Sequence, residues 1–124
     1  MISAKIAEKD IKKHISKLKL LNKKLENSIK DVSKGTTLVL VRSLEKEMQK
    51  INDSIKLIEE TGLKNIVEVK VYVYEVYNTV PGDLEEAYHE TARNFAEPAK
   101  ILKLKKIIDE ISKEIEEFWY LVNA

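Results

Sequence analysis

Ile11, Ile15, Leu18, Asn22, Leu25, Ile29 and Val32 follow one another at alternating spacings of four and three residues. Only a long amphipathic helix gathers such positions on one side, and a seam of that kind needs partner helices to cover it. Two further segments answer it. Val41, Leu44, Met48, Ile51, Ile55 and Ile58 repeat at threes and fours, as do Ile101, Leu104, Ile108, Ile111, Ile115, Phe118 and Val122. Ser33-Lys34-Gly35-Thr36-Thr37 reads as the turn between the first two helices. Gly62 reads as the end of the second, with Leu63 placed to touch Ile58. Ser3 is a candidate cap for the first helix, and Glu97-Pro98 puts a proline at the tolerated first position of the last.

The segment 66–77, IVEVKVYVYEVY, carries two patterns at once. Val67, Val69, Val71 and Val73 alternate with polar or aromatic residues, as in a strand. Ile66, Val69, Val73, Val76 and Val80 also form an unbroken helical stripe. A strand needs a mate, and TTLVLV at 36–41 is the only candidate, at the expense of the start of the second helix. Helix is the preferred reading because the element then matches its neighbours in length. Val80-Pro81-Gly82 interrupts it, and Asp83 with Glu86 has the spacing of a capping box ahead of Leu84, Ala87, Tyr88, Thr91 and Phe95. The expected fold is all-α: one domain, residues 1–124, forming a four-helix bundle of long antiparallel helices whose third helix is broken near Pro81-Gly82.

The chain has no cysteine, which removes disulfides, thiolate chemistry and cysteine-built metal centres. No apolar leader and no run of membrane-spanning length is present, so the expectation is a cytoplasmic protein that does not enter the membrane. Lysine outnumbers arginine twenty to two, a composition that suits a thermophilic source. Three glycines cannot build a nucleotide-binding loop, and none of the serines has a nucleophile-elbow context. The acid pairs Glu59-Glu60, Glu85-Glu86 and Glu116-Glu117 fall on solvated helix positions. No enzymatic activity and no cofactor are expected.

Three candidate sites remain. Lys5, Lys9, Lys12, Lys19, Lys23, Lys30 and Lys34 share a narrow sector of the first helix, and this stripe could follow a phosphate backbone. It lacks arginine and interleaved aromatics, and the acidic second half of the chain opposes it. Residues 1–50 carry thirteen basic and six acidic groups, against nine and fifteen in residues 51–124. Glu86 and His89 have the Glu-x-x-His spacing of di-metal carboxylate bundles. Ile11 stands where His14 would need its glutamate, leaving Asp10 and His14, with Asp109 or Glu110, as a weaker second set. His14 otherwise reads as a partly buried histidine beside an acid. The terminus Phe118-Trp119-Tyr120-Leu121-Val122 is too apolar to lie wholly in water. Trp119, Tyr120 and Leu121 are candidate oligomer contacts, with Leu20, Leu102 and Ile107 as further apolar positions off the main seams. The leading reading is a helical protein–protein interaction or scaffold protein, most simply a homodimer. Nucleic-acid binding through the lysine stripe is the alternative, and a di-metal carboxylate bundle the second.

Overall fold

The computed structural model describes residues 8–33, 38–62, 66–93 and 97–123. Four helices account for nearly all of them: α1 (Glu8–Ser33), α2 (Leu38–Thr61), α3 (Ile66–Arg93) and α4 (Pro98–Val122). Each packs against two others. The backbones of the pairs α1–α2, α2–α3, α3–α4 and α1–α4 approach closely, whereas those of the diagonals α1–α3 and α2–α4 do not among the described residues. This is the square of an up-down-up-down four-helix bundle, about 40 Å long at 1.5 Å per residue.

The three seams read from the sequence form its interior. Ile11, Leu25, Val32, Leu44, Ile51, Ile58, Leu104, Ile111 and Ile115 are all essentially inaccessible. Asn22 is buried among them: its Nδ2 donates to the Met48 carbonyl at 3.1 Å and to Asn52 Oδ1 at 2.7 Å, tying α1 to α2. Its own Oδ1 has no donor. Gly62 ends α2 with φ +89°, a left-handed conformation that costs a glycine little. Glu97 precedes α4 in an extended conformation with Pro98 at the first turn. At the other end of α4, the Asn123 backbone N–H and Nδ2 both donate to the Trp119 carbonyl, closing an orphan acceptor. The Ser3 cap, the turn around Gly35, the Leu63 contact and Phe95 lie outside the described residues.

The segment 66–77 is helical, and residues 38–41, its only possible strand partner, belong to α2. The helical stripe prevails because it extends further: Val69, Val73, Val76, Val80, Leu84, Ala87 and Thr91 form one continuous buried edge of α3. Two sequence expectations change here. The helix is not broken at Pro81-Gly82 but runs through both residues. Pro81 lacks the N–H that would reach the Tyr77 carbonyl, yet buried Val76, Val80 and Leu84 on either side hold the helix against α2 and α4. Asp83 accordingly lies inside a helix rather than at a cap, and its carboxylate pairs with Lys50 of α2 at 3.3 Å. Gly82 is a plain helical glycine, and an added Cβ would meet nothing within 4 Å. Gly82→Ala is therefore expected to raise stability by about 0.5–1 kcal/mol, read from the urea midpoint. No described helix is long and apolar enough to cross a membrane.

Candidate functional site

Two glutamates lie inside the bundle. Glu114 of α4 is 1% exposed, three residues beyond Ile111 and four before Phe118, and so shares their inward edge. His14 Nδ1 donates to its Oε1 at 2.5 Å and Lys17 Nζ forms an ion pair with its Oε2 at 3.1 Å, so both oxygens are met from α1. The His14 ring stacks on Phe118 with centroids 5.2 Å apart and planes 11° apart. The hydrogen bond to Glu114, with its charge, holds the Lys17 ammonium above its ordinary range. The acid beside His14 is therefore Glu114, a hundred residues away in sequence, and not Asp10 one turn earlier. That partner was not legible from α1; the only signal was the place of Glu114 in the α4 seam.

Glu47 of α2 is the second, 4% exposed in the α2–α3 seam. Lys50 Nζ lies 3.2 Å from its Oε1 and 3.3 Å from Asp83. The first contact is close enough for an ion pair but out of line for a hydrogen bond, so Oε1 has no donor. Burial pushes the Glu47 carboxyl above its ordinary value, against the pull of Lys50. Desolvation works on Lys50 in the opposite sense, but Glu47 and Asp83 outweigh it and hold the ammonium above its usual range. A carboxyl raised in the folded state contributes stability that is complete below the unfolded value, near ~4.3. That contribution is lost as pH rises through the folded value. Glu47→Gln keeps the shape without the charge. It is expected to flatten this decline and to be more stable than the parent chain at neutral pH by about 1 kcal/mol, measured as urea midpoints on either side of the window.

The lysine stripe is largely engaged in the bundle's own contacts. Lys19 pairs with Glu59 at 3.0 Å, and Lys23 and Lys30 both approach Glu26, at 2.9 and 3.5 Å. Lys9 and Lys12 are exposed, while Lys5 and Lys34 lie outside the described residues. Glu86 and His89 are both exposed, and His89 faces Glu85 at 3.6 Å, so the Glu-x-x-His pair points away from the core. Among the described residues no group of three or more His, Asp or Glu is placed to hold a metal ion.

The aromatic terminus divides. Phe118 and Val122 are core, Trp119 and Leu121 are half-buried, and Tyr120 is exposed. Trp119 packs across the α3–α4 seam against Tyr77, stacked at 5.4 Å, and against Tyr74 at 5.2 Å. Tyr74 leads onto the outer face of α3, where Val67 and Val71 are 68% and 51% exposed and Tyr74 itself 48%. Tyr74 also shares a groove of about 420 Å³ with Leu57 of α2, another exposed apolar residue. Comparison with protein-family models, with curated proteins and with solved structures finds no match to this chain. The exposed valines were present in the sequence as the strand-like half of segment 66–77; once α3 forms, they are what its core does not use. Leu20 and Leu102 are also exposed but stand singly on α1 and α4, and Ile107 is buried.

Proposed function

We propose that this chain is a protein-interaction module without catalytic activity, and that its partner is a second copy of itself docked on the outer face of α3. The observation that carries the reading is the strip Val67, Val71, Tyr74, Asn78, whose spacings of four, three and four repeat the pattern that packs helices inside the bundle. Leu57 widens it on the α2 side and Trp119 and Tyr120 on the α4 side. Large apolar side chains grouped in this way on a water-facing helix mark an association surface. The strip is also self-complementary. Two copies meeting antiparallel about a two-fold axis between Val71 and Tyr74 set the small valine of one against the ring of the other.

Sedimentation of the parent chain beside a Val71→Glu, Tyr74→Ala variant tests this. Val71 is exposed and Tyr74 gives up only its contact with Trp119, so the variant is expected to keep its helix content with a small drop in melting temperature, while its dimer dissociates at least tenfold more readily, about 1.4 kcal/mol. A parent chain that stays at 14.3 kDa at high micromolar concentration would refute the proposal.

A further inference from the structure

On another side of the molecule, α1 and α4 enclose a groove of about 370 Å³ where Lys24, Asn27 and Ser28 of α1 face Lys103, Lys106 and Glu110 of α4. We propose that this groove binds a phosphoryl group, through the ammonium groups of Lys24, Lys103 and Lys106 and the hydroxyl of Ser28.

Charge is the first argument. Elsewhere three lysines reach across to an acid of the facing helix: Lys17 meets Glu114 further along this same α1–α4 seam, Lys19 meets Glu59 and Lys50 meets Asp83. In this groove lysines from two helices converge, none of the three forms an ion pair with a described residue, and Glu110 is the lone acid. Like charges held together across a seam repel, and a bound dianion turns that repulsion into attraction.

Ser28 is the second argument, independent of charge. The residue is 3% exposed and bonds to no other described residue, and its hydroxyl, which is not among the enclosed unpartnered atoms, opens onto the groove it lines. A hydroxyl in this position bonds to whatever fills the groove, water or ligand. The other buried hydroxyl on a described helix, that of Thr91, donates to the Ala87 carbonyl one turn back. Ser28 keeps its donor for whatever occupies the groove. Phosphoryl oxygens accept from ammonium, hydroxyl and amide donors alike, and Asn27 adds an amide at the rim. The volume exceeds that of a bare phosphate, and Ile107 gives an apolar floor beneath the remainder, which suits a phosphate ester. Free phosphate esters and the backbone of a nucleic acid share this chemistry.

The test uses the full chain with two probes, inorganic pyrophosphate and a short single-stranded RNA, each titrated at about 50 and 200 mM salt. The readouts are calorimetry and amide shifts at residues 24–28 and 103–107. Three variants accompany the parent: Lys24→Gln with Lys106→Gln, Ser28→Ala, and a control, Lys19→Gln with Lys23→Gln, which removes the same charge outside the groove. Saturable pyrophosphate binding is expected, weakened about tenfold by the groove pair and severalfold by Ser28→Ala, and unchanged by the control. RNA binding that falls with the same groove variants identifies the backbone as the source of the phosphoryl group. Pyrophosphate binding alone identifies a free ester. Shifts that never saturate, or a control pair that weakens binding as much as the groove pair, would overturn the proposal.

Discussion

Replacing His14 with phenylalanine is expected to lower the stability of the bundle by about 2–4 kcal/mol, and adding Glu114→Leu to the same chain is expected to recover most of that loss. Phenylalanine keeps a ring over Phe118 but removes the Nδ1 donor, so Glu114 Oε1 is left buried and unpaired while Lys17 still serves Oε2. Leucine then removes the stranded carboxylate and offers an apolar side chain to the seam shared with Ile111, Ile115 and Phe118. The cost arises from breaking the pair rather than from lacking it, so the two substitutions should be strongly non-additive. Chemical denaturation of the two single variants and the double variant measures the coupling. Losses that simply add would show that the Glu114 carboxylate does not depend on His14.

Phe118→Ala is expected to cost about 3–5 kcal/mol, or roughly 10–20 °C in melting temperature for a chain of this length. Phe118 is 2% exposed, and it borders a void of about 10 Å³ together with Leu18 of α1, Ile55 of α2, Val73 of α3 and Ile115 of α4. Truncation would join the lost ring volume to an existing gap lined by side chains of all four helices. It would also remove the surface on which His14 stacks. Walls contributed by four rigid helices collapse poorly around a cavity, which places the loss high in the usual range for a buried aromatic. Differential scanning calorimetry would register it directly. A change below about 1 kcal/mol would mean that the bundle repacks freely at this level.

The helices were legible from spacing alone because apolar residues at threes and fours describe both the element and the face it buries. That periodicity also decided segment 66–77, where the strand-like alternation of Val67, Val69, Val71 and Val73 proved to be two faces of one helix: Val69 and Val73 in the core, Val67 and Val71 outside. Pro81 misled because its local effect on a helix is strong, whereas the burial of Val76, Val80 and Leu84 around it acts over several turns. The ion pairs were less accessible. Lys50–Asp83, Lys19–Glu59 and His14–Glu114 each join residues more than thirty positions apart, and in a chain this rich in charge composition cannot say which acid meets which base. Glu47 and Glu114 were within reach, since each stands three residues beyond a core leucine or isoleucine, at Leu44 and Ile111. The outer face of α3 follows from that helix once its buried stripe is known, whereas the α1–α4 groove depends on how two helices are set side by side, and neither helix alone carries that information.

The chain's lack of cysteine makes one measurement especially direct. Val71→Cys would introduce the only thiol, at the centre of the proposed contact, and Lys13→Cys would place one on the exposed side of α1, diagonally across the bundle from α3. Each chain is treated with a short bis-maleimide at tens of micromolar protein, and covalent dimer is followed over time. Self-association through α3 predicts rapid conversion of the Val71→Cys chain to a species of twice 14.3 kDa, with the Lys13→Cys chain lagging far behind. Equal rates for the two chains, or no dimer from Val71→Cys, would contradict it.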